Sequence, residues 1–188
     1  MRILLIGDMH IPEEAEEIPD EFLEEAESCD LIICTGDLTE NMVLDELFER
    51  AKVRAVKGEK DYIDLPEQDL VTIEEMKFGV VHGHQIDEVI DSENEKMEDE
   101  RDRSCEASEE EGKDSDGKGH AEKLMEFADL LKANVLVTGH THKPFRTEKS
   151  GTVLLNPGSA TGVGGGKRTC MVVEVEGTDL RECEILTA

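Results

Sequence analysis

Residues 135–142 read Val-Leu-Val-Thr-Gly-His-Thr-His. A short apolar run closing on a glycine is the pattern of a buried strand that delivers a loop. In open α/β sheets, ligands bind beyond the carboxyl ends of strands, so His140 and His142 stand where a site is expected. Their alternate spacing lets both imidazoles face one point. Taken alone, such a pair is more often two surface-loop histidines. Three other predicted strand ends carry the same kind of side chain, however: Gly7-Asp8-Met9-His10, Gly36-Asp37 and His82-Gly83-His84. The chain has 6 histidines, and all but His120 lie at these four ends, which argues against coincidence.

Working outward, the 188 residues suffice for one domain with a substantial core. The net charge of −27, with no evident basic patch, makes nucleic acid a poor partner. No apolar run approaches the roughly 18–20 residues of a bilayer span, so no membrane association is expected. The opening MRILLIGD lacks the features of a signal peptide and reads as a strand. The cysteines (Cys29, Cys34, Cys105, Cys170 and Cys183) are odd in number and show no CxxC spacing, which points to reduced thiols and a cytoplasmic location.

The chain alternates strand and helix before turning to strands alone. Arg2–Ile6, Leu31–Thr35 and Val53–Val56 read as strands ending in Gly7-Asp8-Met9-His10, Gly36-Asp37 and Gly58-Glu59-Lys60-Asp61. Between them a helix begins at Pro19-Asp20-Glu21, with acids against the positive end of its dipole. Its apolar stripe is Phe22, Leu23 and Ala26. A second helix, Asn41–Ala51, places Met42, Val43, Leu47 and Ala51 on one face, with Leu44 and Phe48 alongside. Asp69–Ile73 and Lys77–Val81 form a hairpin that runs into His82-Gly83-His84. A helix over Ala121–Ala133, with Leu124, Phe127, Ala128 and Leu131 inward, precedes the quoted strand. Strands follow at Phe145–Glu148, Thr152–Leu155, Thr169–Val175 and Asp179–Leu186. The Gly-rich run Gly162–Gly166 lacks the setting of a phosphate-binding loop and is weak evidence for one. Helix–strand alternation followed by strands predicts an α/β layered sandwich with mixed sheets.

The stretch 87–119 stands apart. Its 15 acidic and 5 basic residues, with almost nothing apolar, cannot bury enough surface to offset ordering entropy. It is expected to be a disordered or loosely helical insertion in a single domain spanning 1–188. The acidity is not confined to it, and a surface acidic throughout suits solubility in concentrated salt.

Two Asp and several His, without thiolate, form a donor set suited to Mn²⁺, Fe²⁺, Zn²⁺ or Ni²⁺. Seven candidate ligands are too many for one tetrahedral ion and about right for two. Two adjacent ions can hold a phosphoryl oxygen and activate water for in-line attack. The ordered motifs GDxH, GD, GxxD, HGH, GHTH and NPGS resemble those of the calcineurin-like metallophosphoesterases, over almost the whole chain outside the insertion. DMHIP, DLPEQDLVTIEEMKFGVVHGHQ and LNPGSATG look most like its smallest branch. That branch holds compact prokaryotic phosphodiesterases and the metallophosphoesterase-fold subunit of eukaryotic retromer.

The resemblance implies a layered αββα sandwich with two mixed sheets and two divalent ions, Mn²⁺ first among them. It places Asp8, His10, Asp37 and His142 around one ion. Asp37 would bridge to a second held by His82 and His140, with Glu59 at the remaining position. His84 would lie near the substrate. Two departures stand out: Glu59 replaces the family's usual Asn, and Lys60 takes the place of a proton-donating His. The implied function is hydrolysis of small phosphodiesters or phosphomonoesters, with Asp37, His84 and Lys60 as catalytic residues. The alternative is a catalytically weak protein-binding module of retromer-subunit type with a vestigial metal site. No feature of the sequence sets an oligomeric state.

Overall fold

The computed structural model describes residues 1–86 and 118–188. The expectation for 87–119 therefore lies outside the described residues, apart from its last two, which belong to a helix. The described elements are β1 (Arg2–Ile6), α1 (Asp20–Glu27), β2 (Leu31–Cys34), α2 (Asn41–Phe48), β3 (Lys52–Ala55), β4 (Gln68–Ile73), β5 (Met76–Val81), α3 (Lys118–Leu131), β6 (Val135–Val137), β7 (Phe145–Lys149), β8 (Thr152–Asn156), β9 (Thr169–Glu176) and β10 (Asp179–Thr187).

The strands form two mixed sheets, ordered β10-β9-β1-β2-β3 and β4-β5-β6-β8-β7. In the first, β1, β2 and β3 are parallel; in the second, β5, β6 and β8 are. Ile3, Leu5, Leu31 and Ile33 meet Phe78, Val80, Val135 and Val137 in an apolar layer between the sheets. The alternate residues Leu4, Ile6, Ile32 and Cys34 pack outward against Phe22, Leu23 and Ala26 of α1 and Val43 and Leu47 of α2. Across the molecule, Leu136 and Leu154 pack on Leu124, Phe127 and Ala128 of α3. The result is the layered αββα sandwich. Its central strands read as unbroken apolar runs because both faces are covered.

Two helices depart from expectation. α2 ends at Phe48, and Met42 and Phe48 are exposed. Only Val43 and Leu47, one turn apart, are fully inward, so the stripe is narrower than the apolar count suggested. α3 starts at Lys118, before Ala121, and ends at Leu131. Cys29, Cys34, Cys170 and Cys183 are free thiols, and no helix among the described residues is long and apolar enough to cross a membrane.

Candidate metal centre

The parallel strands of both sheets end at one edge, and the predicted loops meet there. Asp8 follows β1, Asp37 follows β2, His82 follows β5, and His140 and His142 follow β6. The ends are joined by backbone as well as side chains. The His140 amide N–H donates to both Asp8 carboxylate oxygens, at 3.0 and 3.2 Å. The Lys60 N–H donates to Asp37 Oδ1 at 2.7 Å. The contacts need glycine: a Cβ on Gly58 would fall 2.2 Å from Asp37 N, and one on Gly139 would fall 2.8 Å from Asp8 Oδ2.

Among the described residues, two groups bring their ligand atoms within 4.8 Å of one another: Asp8, His10 and His142, and Asp8, Asp37 and His82. Asp8 belongs to both. Asp37 Oδ2 lies 3.4 Å from His10 Nε2 and 3.4 Å from His82 Nε2. Both carboxylates thus occupy the middle of the cluster. His140 joins neither group, although its ring lies 5.3 Å from that of His82. His84 stands 5.3 Å from His82 and 6.3 Å from His140 between ring centroids, with a buried, unpartnered Nδ1. Glu59 and Lys60 are exposed at the rim, and Glu59 is in neither ligand group. Its charge still reaches His140, whose pKa it works to raise.

The electrostatics of the cluster suit a bound cation. Burial alone would raise Asp37, but His82, the Lys60 N–H and His10 bring it down to about 2. Burial works to lower His82, and Asp37 and Asp8 overcome this to raise it. His142 is raised chiefly by its bond to Asp8, whereas His140 is lowered, mainly by burial. Both ring nitrogens of His10, and Nε2 of His82, are buried with no hydrogen-bond partner. Buried polar atoms are rarely left so. These lone pairs and the facing carboxylates fit divalent ions.

Several supporting residues stood inside the motifs GxxD and NPGS, which did not reveal their tasks. Asp61, buried, accepts the N–H groups of Asp37 (3.0 Å), Thr39 (2.6 Å) and Gly58 (2.7 Å). The buried Asn156 amide donates to Gly139 O at 2.7 Å, while its Oδ1 accepts the Gly158 N–H at 2.8 Å. Ser159 Oγ donates to Asp8 O and accepts the Val163 N–H. The Gly-rich run thus serves the site by bringing the Val163 backbone against His142. NPGS was visible as a motif, but its structural task was not.

Two mixed sheets with aspartates and histidines converging at their parallel strand ends define a metallophosphoesterase scaffold. Residues 1–178 match the calcineurin-like phosphoesterase superfamily domain, and the chain belongs to that superfamily. It is 34% identical over 161 residues to a probable metallophosphoesterase of Methanocaldococcus jannaschii, covering 86% of this chain and 69% of that one. A probable metallophosphoesterase of Methanothermobacter thermautotrophicus is 33% identical over 189 residues, 99% of this chain and 92% of its own. Among solved structures, wild-type Vps29 of Entamoeba histolytica complexed with zinc superposes with a TM-score of 0.74 at 28% identity, covering 100% and 99% of the two chains.

Proposed function

We propose that this protein is a dinuclear metal-dependent phosphoesterase that hydrolyses small phosphodiesters, with phosphomonoesters as secondary substrates, in the cytoplasm. The observation that carries the reading is the pair of overlapping ligand groups sharing Asp8, with Asp37 Oδ2 equidistant from His10 and His82. One group, Asp8, His10 and His142, would hold the first ion together with Asp37. Asp8, Asp37 and His82 would hold the second, with His140 beside it. Divalent ions there, Mn²⁺ first and Zn²⁺, Ni²⁺ or Fe²⁺ as alternatives, would polarise the phosphoryl oxygens and acidify water.

The chain's own residues do the rest. Asp37 holds its negative charge far below neutral pH. Lys60, exposed at the rim, offers its ammonium to the anionic substrate, at the position where the family resemblance implies a proton-donating His. His84 contacts the substrate from beside His82 and His140. The free thiols support a reducing compartment, and the acidic charge supports a small substrate over nucleic acid.

The test is a panel of divalent metals against aryl phosphodiesters and phosphomonoesters. Metal-dependent turnover that disappears in Asp37→Ala supports the proposal. The likeness to Vps29 favours a second reading, a protein-binding module that keeps metal without turnover. Two bound ions with no hydrolysis across the panel would select that second reading.

A further inference from the structure

A metal-ligating histidine fixes its orientation through its other ring nitrogen. In this cluster, the partners of those nitrogens are not alike. His82 Nδ1 lies 2.8 Å from the Thr35 carbonyl, and His142 is held by the Val163 backbone. Both partners are uncharged. His10 Nδ1 faces the Glu14 carboxylate instead, with Oε1 at 3.5 Å. The Glu14 N–H donates to the His10 carbonyl at 2.8 Å, so one backbone turn sets the two side chains against each other. Their burial is unequal: the His10 side chain is 4% exposed and that of Glu14 53%. His10 Nδ1 is nevertheless buried without a hydrogen bond. A carboxylate therefore stands a few tenths of an ångström short of a buried nitrogen that lacks an acceptor.

We propose that Glu14 is a positioning residue for the ion at Asp8, His10 and His142. Its carboxylate takes the Nδ1–H of His10 and fixes the tautomer whose Nε2 faces Asp37. A charged acceptor leaves the imidazole more electron-rich than a carbonyl does. His10 thereby becomes the strongest nitrogen donor of the set, and the first ion the more tightly held of the two. The inference rests on the dinuclear reading above and adds an order of affinity to it. Many acidic side chains line this surface; Glu14 is set apart because it faces a buried, unpartnered ring nitrogen.

The experiment titrates metal-free wild type, Glu14→Gln and Glu14→Ala with Co²⁺, reading the visible d–d absorption and the bound stoichiometry. Glu14 is exposed, and melting of each metal-free variant establishes that it is folded. Wild type is expected to bind two ions in distinguishable steps. Glu14→Ala should weaken the tighter step about tenfold and leave the weaker one alone, the lower end of what such partners contribute. Glu14→Gln, which keeps an uncharged acceptor oxygen, should fall between. Two ions with unchanged constants in both variants would overturn the role of Glu14 while leaving the dinuclear reading intact. Equal weakening of both steps would also overturn it, since loss of any nearby negative charge does that. Fewer than two ions in wild type would overturn the dinuclear reading itself.

Discussion

Asp8, His10, Asp37, His140 and His142 all hold positive φ, between 49° and 65°. Side chains other than glycine pay steric strain there, and the observed outliers gather on the proposed ligands. The strain has a measurable signature. Removing the His142 imidazole should impair metal binding whichever residue replaces it, but His142→Gly should melt above His142→Ala in the metal-free protein. The difference expected is about 1 kcal/mol, because alanine keeps the Cβ that the left-handed backbone disfavours. Equal melting would mean that the backbone at 142 relaxes freely. Glu59 matters through its field. An exposed carboxylate whose charge reaches His140 adds negative potential where, on the proposed function, the anionic substrate binds and charge develops in the transition state. Glu59→Asn is therefore expected to raise kcat/KM for an aryl phosphodiester about tenfold, which needs only about 1.4 kcal/mol off the barrier. Metal occupancy must be measured in both proteins. Equal occupancy with no gain in rate would refute the field argument.

The loop after β3 is organised by Asp61, whose carboxylate gathers three backbone N–H groups from two loops. Asp61→Ala strands these donors in a buried place, at about 1–3 kcal/mol for each unsatisfied group. Denaturant unfolding should show a loss of at least about 3 kcal/mol, with metal affinity falling too because Asp37 is one of the residues held. Asp61→Asn keeps one acceptor oxygen and should lose less. An Ala variant as stable as wild type would show that water replaces the carboxylate. Asp61 also marks where sequence legibility stops. β1, β2 and β6 could be read because strands covered on both faces must be apolar throughout. Asp8, His10, Asp37, His82, His140 and His142 could be read because metal-type side chains recur at strand ends. Asp61 and Asn156 stood in the motifs GxxD and NPGS, but their tasks could not be read, since their partners are backbone groups that leave no pattern in residue types. The end of α2 was missed for another reason: Ala51 continues the apolar period and its N–H still reaches Leu47 O, yet the regular helix closes at Phe48 and β3 begins at Lys52.

For the whole molecule, protons and metal ions compete for one cluster. In the metal-free protein, His82 and His142 are raised above their ordinary 6.5. Their contribution to stability is complete below that value and is lost as pH rises through the raised ones. Asp37, brought from 3.8 to about 2, contributes above 3.8 and loses that contribution as pH falls toward 2. His140, lowered by burial, opposes the other two histidines. With two raised against one lowered, the metal-free protein should melt highest at roughly pH 4–6. Metal needs the imidazoles unprotonated, so its stabilisation grows in the opposite direction. At a hundredfold excess over Kd, one ion adds about 2.7 kcal/mol, or on the order of 5–10 °C in Tm for a chain of this size. Melting curves with Mn²⁺ and with chelator should therefore diverge between pH 6 and pH 8. A gap that stays constant with pH would remove the histidines from the metal sites.

The cluster draws Asp8, His10 and Asp37 from one sheet and His82, His140 and His142 from the other. Between the sheets lies an apolar layer, and the directional contacts across it include the Arg54–Asp69 pair, the His140 N–H to Asp8 at this edge, and the Glu75 N–H to Gly177 O at the other. Coordination is directional, so ions at that edge would act as a hinge pin through two leaves. Without them the ligand edge would keep only hydrogen bonds such as His140 N–H to Asp8, while the far edge keeps the Glu75 N–H to Gly177 O bond. On the proposed dinuclear reading, catalytic alignment and mechanical stiffness become one property of that edge, and protein starved of metal would be looser as well as idle.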